Sequence, residues 1–187
     1  MKKTLFFVAF AFLMISSGCA NNPKQVASTD EPKAVANEAA VQEDPVNPSL
    51  KSMPADVMGK DIINFVVEAN KGKVILVDLW ATWCGPCRMA MKMLDEVKPE
   101  LKEKGCCFVY ITGETSPKAK FDEMMPGIEG DHYYLTNAQW KSLSAAYDVA
   151  GIPFYLVINK DGSVAQTHLG FPGQEIVKNE IEVALSK

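Results

Sequence analysis

The stretch "VDLWATWCGPCRMAM", residues 77–91, places two cysteines two residues apart directly after an apolar run. The run itself, Val74 to Trp80, is short and rich in β-formers, as expected of a strand buried on both faces. From Cys84 onward Met89, Met93, Leu94, Val97 and Leu101 recur at helical spacing, so a helix is expected over Cys84–Lys104, kinked or strained at Pro99. A Cys-X-X-Cys pair at such a junction fits a structural staple, half of a zinc site, or a redox couple. A structural zinc site needs four ligands, but the other candidates are the adjacent Cys106 and Cys107 and the isolated His132 and His168. A staple gains least where the loop it closes is shortest.

Redox chemistry has local physics in its favour. A thiol at Cys84, where the helix opens, lies among backbone N–H groups that have no partner inside the helix. The positive end of the helix dipole favours the thiolate, the attacking species in disulfide exchange. Cys87, three residues on and deeper, is placed to attack a mixed disulfide and release the product. Gly85 gives the turn freedom, and Pro86, lacking a donor, suits a first helical turn.

Working outward, "KDIINFVVEAN" (60–70) reads as an amphipathic helix and "CCFVYIT" (106–112) as a second buried strand, parallel to the first across a helix. Cys106 and Cys107 should point to opposite faces of that strand as inert thiols. A helix near Lys118–Met125 follows, then a loop through Gly127 and Gly130. "NAQWKSLSAAYDV" reads as a helix capped by Asn137. The aromatic residues of "GDHYYLTNAQW" (130–140) suit either a substrate groove or a small hydrophobic annex. "GIPFYLVINKDGSVAQTHLG" reads as a hairpin turning at Asp161-Gly162, and "PGQEIVKNEIEVALSK" closes as a helix. The order α-β-α-β-α-α-β-β-α describes an α/β fold, a mixed sheet with helices on both faces.

The chain opens with Lys2 and Lys3, an apolar run from Leu5 to Ile15, and small residues Ser16, Ser17 and Gly18 before Cys19. This reads as an export signal over residues 1–18, since a membrane-spanning helix needs about 20 apolar residues. The end resembles a bacterial lipobox, with Ser16 where leucine is usual; an ordinary signal peptide with Cys19 incidental is the alternative. Residues 19–52 hold no aromatic residue and a single Leu, the composition of a disordered tether from a lipidated Cys19, its ends about 30 Å apart. The globular domain is expected over 53–187. With 48% hydrophobic and 22% charged residues the 187-residue chain has a core to bury. A formal charge of −4 without a Lys/Arg cluster argues against nucleic acid as a partner. Export would place the cysteines in the cell envelope, where disulfides persist.

"WCGPC" after "LVDLWAT", followed far downstream by "GIPFYLV" and "NKDG", resembles the thioredoxin superfamily over residues 60–187. The leader and the long segment between 112 and 137 make the chain most similar to TlpA/ResA-like exported thiol-disulfide oxidoreductases. The resemblance implies a thioredoxin fold with an insertion in its middle. It makes Cys84 the attacking thiol and Cys87 the resolving one, and Pro153, after Ile152, a cis-proline whose loop pairs with substrate backbone; a plain trans turn is the alternative. Two acids match proton acceptors of the family. Asp78 lies mid-strand, where burial raises a carboxyl pKa, and Glu114 lies in "ITGETS", where a solvated loop carboxylate is the other reading. Trp83 is expected to shield the pair and touch substrate, with Trp80 packing. No cofactor is implied. The implied partners are proteins with disulfides, apocytochrome c among them, and a thiol-transporting membrane protein that supplies electrons. The Gly-Pro pair resembles that of strongly reducing thioredoxin, which points to a reductase. A copper metallochaperone using the same thiols, with methionines as soft ligands, is the rival reading; Met89 and Met93, however, share a helix face with Leu94 and Val97, as core residues do.

Overall fold

The computed structural model describes residues 49–187; the leader, Cys19 and the tether up to residue 48 lie outside the described residues. The elements are β1 (Leu50–Lys51), α1 (Lys60–Ala69), β2 (Val74–Leu79), α2 (Gly85–Leu94), α3 (Lys98–Glu103) and β3 (Cys106–Gly113). They continue with α4 (Lys118–Met124), β4 (Asp131–Leu135), α5 (Asn137–Ala146), β5 (Phe154–Ile158), β6 (Val164–Leu169) and α6 (Gln174–Leu185). The six strands form one sheet in the order β1-β4-β3-β2-β5-β6. β1, β4, β3 and β2 run parallel, while β5 and β6 are antiparallel to their neighbours.

Every residue of β2 is buried, so its period of two divides the core into two layers. Val74, Leu76 and Trp80 face α2, α3, α4 and α6, packing with Leu94, Leu101, Phe121, Val177 and Ile181. Ile75, Val77 and Leu79 face α1 and α5, packing with Ile62, Ile63, Val66 and Leu143. The expected α/β architecture is thus present, and four sequence readings need correction.

First, the segment read as loop contains β4. It pairs with β3 from Val109↔Asp131 to Gly113↔Leu135, and His132 stacks on Tyr110 with ring centroids 5.1 Å apart. Its polar and aromatic composition hides the strand, because packing on both sides supplies the burial that propensity does not announce. Second, the globular unit begins before Met53. Leu50 and Lys51 pair with His132 and Tyr133, the His132 N–H donates to the Ser49 carbonyl at 2.7 Å, and Leu50 packs on the α2-side core. Third, the single helix over 84–104 is two helices. Pro99 occupies the first turn of α3, where a missing N–H costs nothing, and not a helix interior. The cap of α5 is Thr136, one residue earlier than Asn137. Its hydroxyl accepts from the Gln139 N–H at 3.2 Å and its own N–H donates to the Gln139 side chain at 3.1 Å, a capping box.

Candidate active site

Strand β2 ends at Leu79, and the Trp80 N–H still donates to the Ile111 carbonyl of β3 at 3.0 Å, so the chain leaves the sheet under control. The next residues are tied to the segment after β3. The Thr82 N–H donates to Ser116 Oγ at 3.0 Å, Ser116 Oγ lies 2.8 Å from Thr112 Oγ1, and Trp83 Nε1 donates to the Thr115 carbonyl at 3.1 Å. The indole of Trp83 is 61% exposed beside the cysteines, whereas Trp80 is wholly buried and packs in the core, as expected of it.

Cys84 is the N-cap of α2, and its Sγ accepts the Cys87 N–H at 3.2 Å. Gly85 and Pro86 form the first helical turn and are exposed. Cys84 and Cys87 are joined as a disulfide with Cα atoms 5.3 Å apart; Cys87 is fully buried and Cys84 is the outer of the two. A helix-opening N–H aimed at Sγ would stabilise a thiolate there after reduction, by direct hydrogen bonding and by the local dipole.

The Ile152–Pro153 peptide bond is cis, as the resemblance implied. Phe154 pairs with Leu79, so Pro153 lies level with Trp80, at the end of the sheet from which the cysteine loop departs. The Pro153 carbonyl accepts from the Gly170 N–H at 2.8 Å, and Ile152 packs against the cluster that includes both cysteines.

Strand alternation turns Asp78 toward the α2 layer, the same side as Leu76 and Trp80. It is 1% exposed, and neither carboxyl oxygen has a hydrogen-bond partner among the described residues. Burial pushes its pKa up to about 8, only partly offset by the neighbouring Tyr155 hydroxyl and by the Lys98 charge. Glu114 is placed differently: it is exposed, and its Oε2 accepts the Asn137 N–H at 2.8 Å, stabilising the first turn of α5.

Three residues around Asp78 escaped the sequence reading. Tyr110 and Tyr155 are its direct cross-strand neighbours on β3 and β5. Lys98 is buried, its ammonium 2.7 Å from Asp95 and 5.0 Å from the Tyr110 ring centroid, where the aromatic face supports the charge. A lysine beside a proline at a helix start, in an acidic surrounding sequence, reads as a surface residue. Only the packing of α3 onto β3 reveals it as a core cation.

The methionines of α2 also need correction. Met91 is the buried one, with Cys87, Ala90 and Leu94, while Met89 and Met93 are exposed. Met89 lines a groove of about 520 Å³ beside the disulfide, together with Gly85, Arg88, Lys92, Met124 and Ile128. Cys106 faces the α2 layer and Cys107 the opposite one, as expected, and burial raises their thiols to about 12 and about 11. Both stay protonated at neutral pH, consistent with inert thiols.

The sequence profile of the Redoxin family matches residues 43–185. A thiol-disulfide oxidoreductase, ResA, of Bacillus thuringiensis is 28% identical over 141 residues, covering 70% of this chain and 78% of the relative. Thioredoxin of Bacillus subtilis is 31% identical over 115 residues, covering 62% and 85%. Among solved structures, a thiol:disulfide interchange protein of the thioredoxin family from Chlorobium tepidum superposes with a TM-score of 0.55 at 25% identity, over 64% of this chain and 84% of that one. Sheet order, helix-start cysteine pair and sequence agree: the chain belongs to the Redoxin family and is a ResA-like thiol-disulfide oxidoreductase of the thioredoxin superfamily.

Proposed function

We propose that the protein reduces disulfides of other proteins in the cell envelope, outside the cytoplasm, held to a membrane by a lipid on Cys19 and a tether. The observation that carries the reading is the Cys84 sulfur at the opening of α2, accepting the Cys87 N–H, with an unpartnered buried acid on the same side of the sheet. In the reduced protein, the Cys84 thiolate attacks one sulfur of a substrate disulfide, and the other leaves as a thiolate. Asp78 takes the proton of Cys87, whose thiolate attacks Cys84 Sγ. The substrate departs as a dithiol, and the Cys84–Cys87 disulfide seen here is the oxidised product. Trp83, Gly85, Pro86, Ile152 and Pro153 form the surface that meets the substrate backbone. Asp78 suits the acceptor role better than Glu114, because its burial holds its pKa close to neutral pH while Glu114 is engaged at α5.

Such a reductase must itself be re-reduced, and a membrane protein that passes thiol electrons outward is the partner this chemistry requires. Apocytochrome c, with its own cysteine pair, is one candidate substrate. Replacing Cys87 with serine tests the reading. The variant should accumulate mixed disulfides between Cys84 and substrate proteins, visible on non-reducing gels and lost with dithiothreitol. The rival copper carrier would lose Cu(I) binding and trap nothing. Equilibration of the couple with glutathione buffers tests the direction: a potential well above about −180 mV would make the protein an oxidant or isomerase.

A further inference from the structure

Helix α2 carries the only arginine of the chain, Arg88, one residue beyond the buried cysteine. Arg88 and Lys92 stand four residues apart, so their side chains lie one above the other on one helix face. Both are exposed, and neither side chain makes an ion pair or hydrogen bond among the described residues. With Met89, which is 66% exposed, they line the groove beside the disulfide. Met124, at the end of α4, and Ile128, before β4, complete the lining; both are half-buried and packed on the α2-side core. The groove begins at Gly85, between the two cysteines, so it is continuous with the surface that meets the substrate.

The charge of the groove is set by what remains unpaired. The carboxylates next to its lining are engaged: Asp95 with Lys98 at 2.7 Å, Glu123 with Lys120 at 2.8 Å, Asp122 with Lys118, and Glu129 with Lys102. Glu96 lies past the end of α2 and makes no ion pair with Lys92. A chain of net charge −4 thus presents two free cations among methionine and isoleucine side chains, next to its reactive sulfur. An acidic side chain entering the groove meets both cations, and a basic one is repelled. Two cations are too few for a lipid surface, which is bound by clusters of about four or more. A polypeptide, by contrast, can bring an acid and an apolar side chain on successive residues.

We infer that this groove is a substrate subsite that selects disulfide-containing polypeptides with an acidic side chain close to the reacting cysteine. Arg88 lies four residues and Lys92 eight residues along α2 from Cys84, about 6 Å and about 12 Å at about 1.5 Å per residue. An extended peptide advances about 3.3 Å per residue, so the acid falls about two to four residues from the substrate cysteine. Met89, Met124 and Ile128 take the apolar side chain beside it. The subsite acts on recognition alone and moves no proton or electron. The inference rests on the exchange reaction proposed above.

The test mixes the reduced full-length protein with two peptides, each closed by one disulfide. One carries glutamate and the other glutamine at the second to fourth positions from its cysteines. Each protein is scored by the ratio of its second-order rate constants for the two peptides. That ratio cancels any effect of Arg88 on the reactivity of Cys84. In about 0.1 M salt, where charges are screened over about 10 Å, Arg88→Gln and Lys92→Gln should each lower the ratio about threefold. The double variant should lower it about tenfold, and Arg88→Glu combined with Lys92→Glu should make the glutamine peptide the faster one. Lys141→Gln, the same charge change at an exposed position on α5 across the sheet, should leave the ratio unchanged. An unchanged ratio in the double variant, with both peptides still reduced, overturns the subsite and leaves the exchange reaction standing. An equal fall in Lys141→Gln would assign the preference to the whole surface and overturn the subsite too. Unchanged ratios with weaker retention on phosphatidylglycerol vesicles would assign the two cations to a lipid surface, with the same consequence. Reduction of neither peptide by the wild-type protein removes the exchange reaction and the subsite together.

Discussion

Exchanging Asp78 for asparagine keeps the side-chain volume and removes the titrating proton, so it separates the stability cost of a buried acid from its chemistry. The carboxyl sits near 8 in the folded protein and near 3.8 when exposed. The folded state therefore binds more protons between those values, and the contribution of Asp78 to stability, complete below about pH 4, is lost as pH rises through about 8. Asp78→Asn lacks that loss. In urea unfolding of the oxidised proteins, its stability relative to wild type should rise between pH 5 and pH 8.5, by up to a few kcal/mol. Parallel curves for the two proteins would show that the carboxyl is not desolvated as described. The acid itself was legible in the sequence, because a charge in the middle of "VILVDLW" has nowhere to go but the interior. Its neighbours Tyr110 and Tyr155 were not, since tyrosine is an ordinary strand residue and cross-strand register is invisible in one dimension.

Helix α5 shows how a few local bonds position a larger unit. The Thr136–Gln139 capping box starts the helix, Glu114 accepts from the Asn137 N–H, and the Gln139 side-chain amide reaches back to the Pro54 carbonyl at 2.8 Å. Thr136→Ala removes the hydroxyl acceptor and should cost about 1 kcal/mol. A domain of this size should then melt a few degrees lower in a thermal scan. Glu114→Gln keeps an acceptor in place and should cost less than Thr136→Ala, with exchange activity retained. Loss of exchange activity in Glu114→Gln at unchanged stability would return Glu114 to the proton-transfer candidates. The helix was legible in "NAQWKSLSAAYDV", and its start was misplaced by one residue because Thr and Asn are both good caps.

The sheet as a body depends on an edge that the amino-acid pattern conceals. β1 is only two residues long, yet it covers β4, whose backbone groups would otherwise face solvent on that side. A chain starting at residue 53 should therefore be less stable, and more prone to associate, than one starting at residue 43. Denaturation midpoints and light scattering of the two at equal concentration check this; equal values would make β1 dispensable. Leu50, the single leucine of a polar segment, was the one hint, and it was too weak to outweigh the composition around it.

The redox pair, its helix-start setting, the alternation of strands and helices and the buried acid all follow from local chemistry: hydrophobic period, capping, and the electrostatics of a helix terminus act between near neighbours in the chain. The two-residue edge strand, the core position of Lys98, and the tyrosines on either side of Asp78 arise from pairings between distant segments. Such pairings are set by how six strands share two apolar layers, a collective packing outcome that no single stretch of residues encodes.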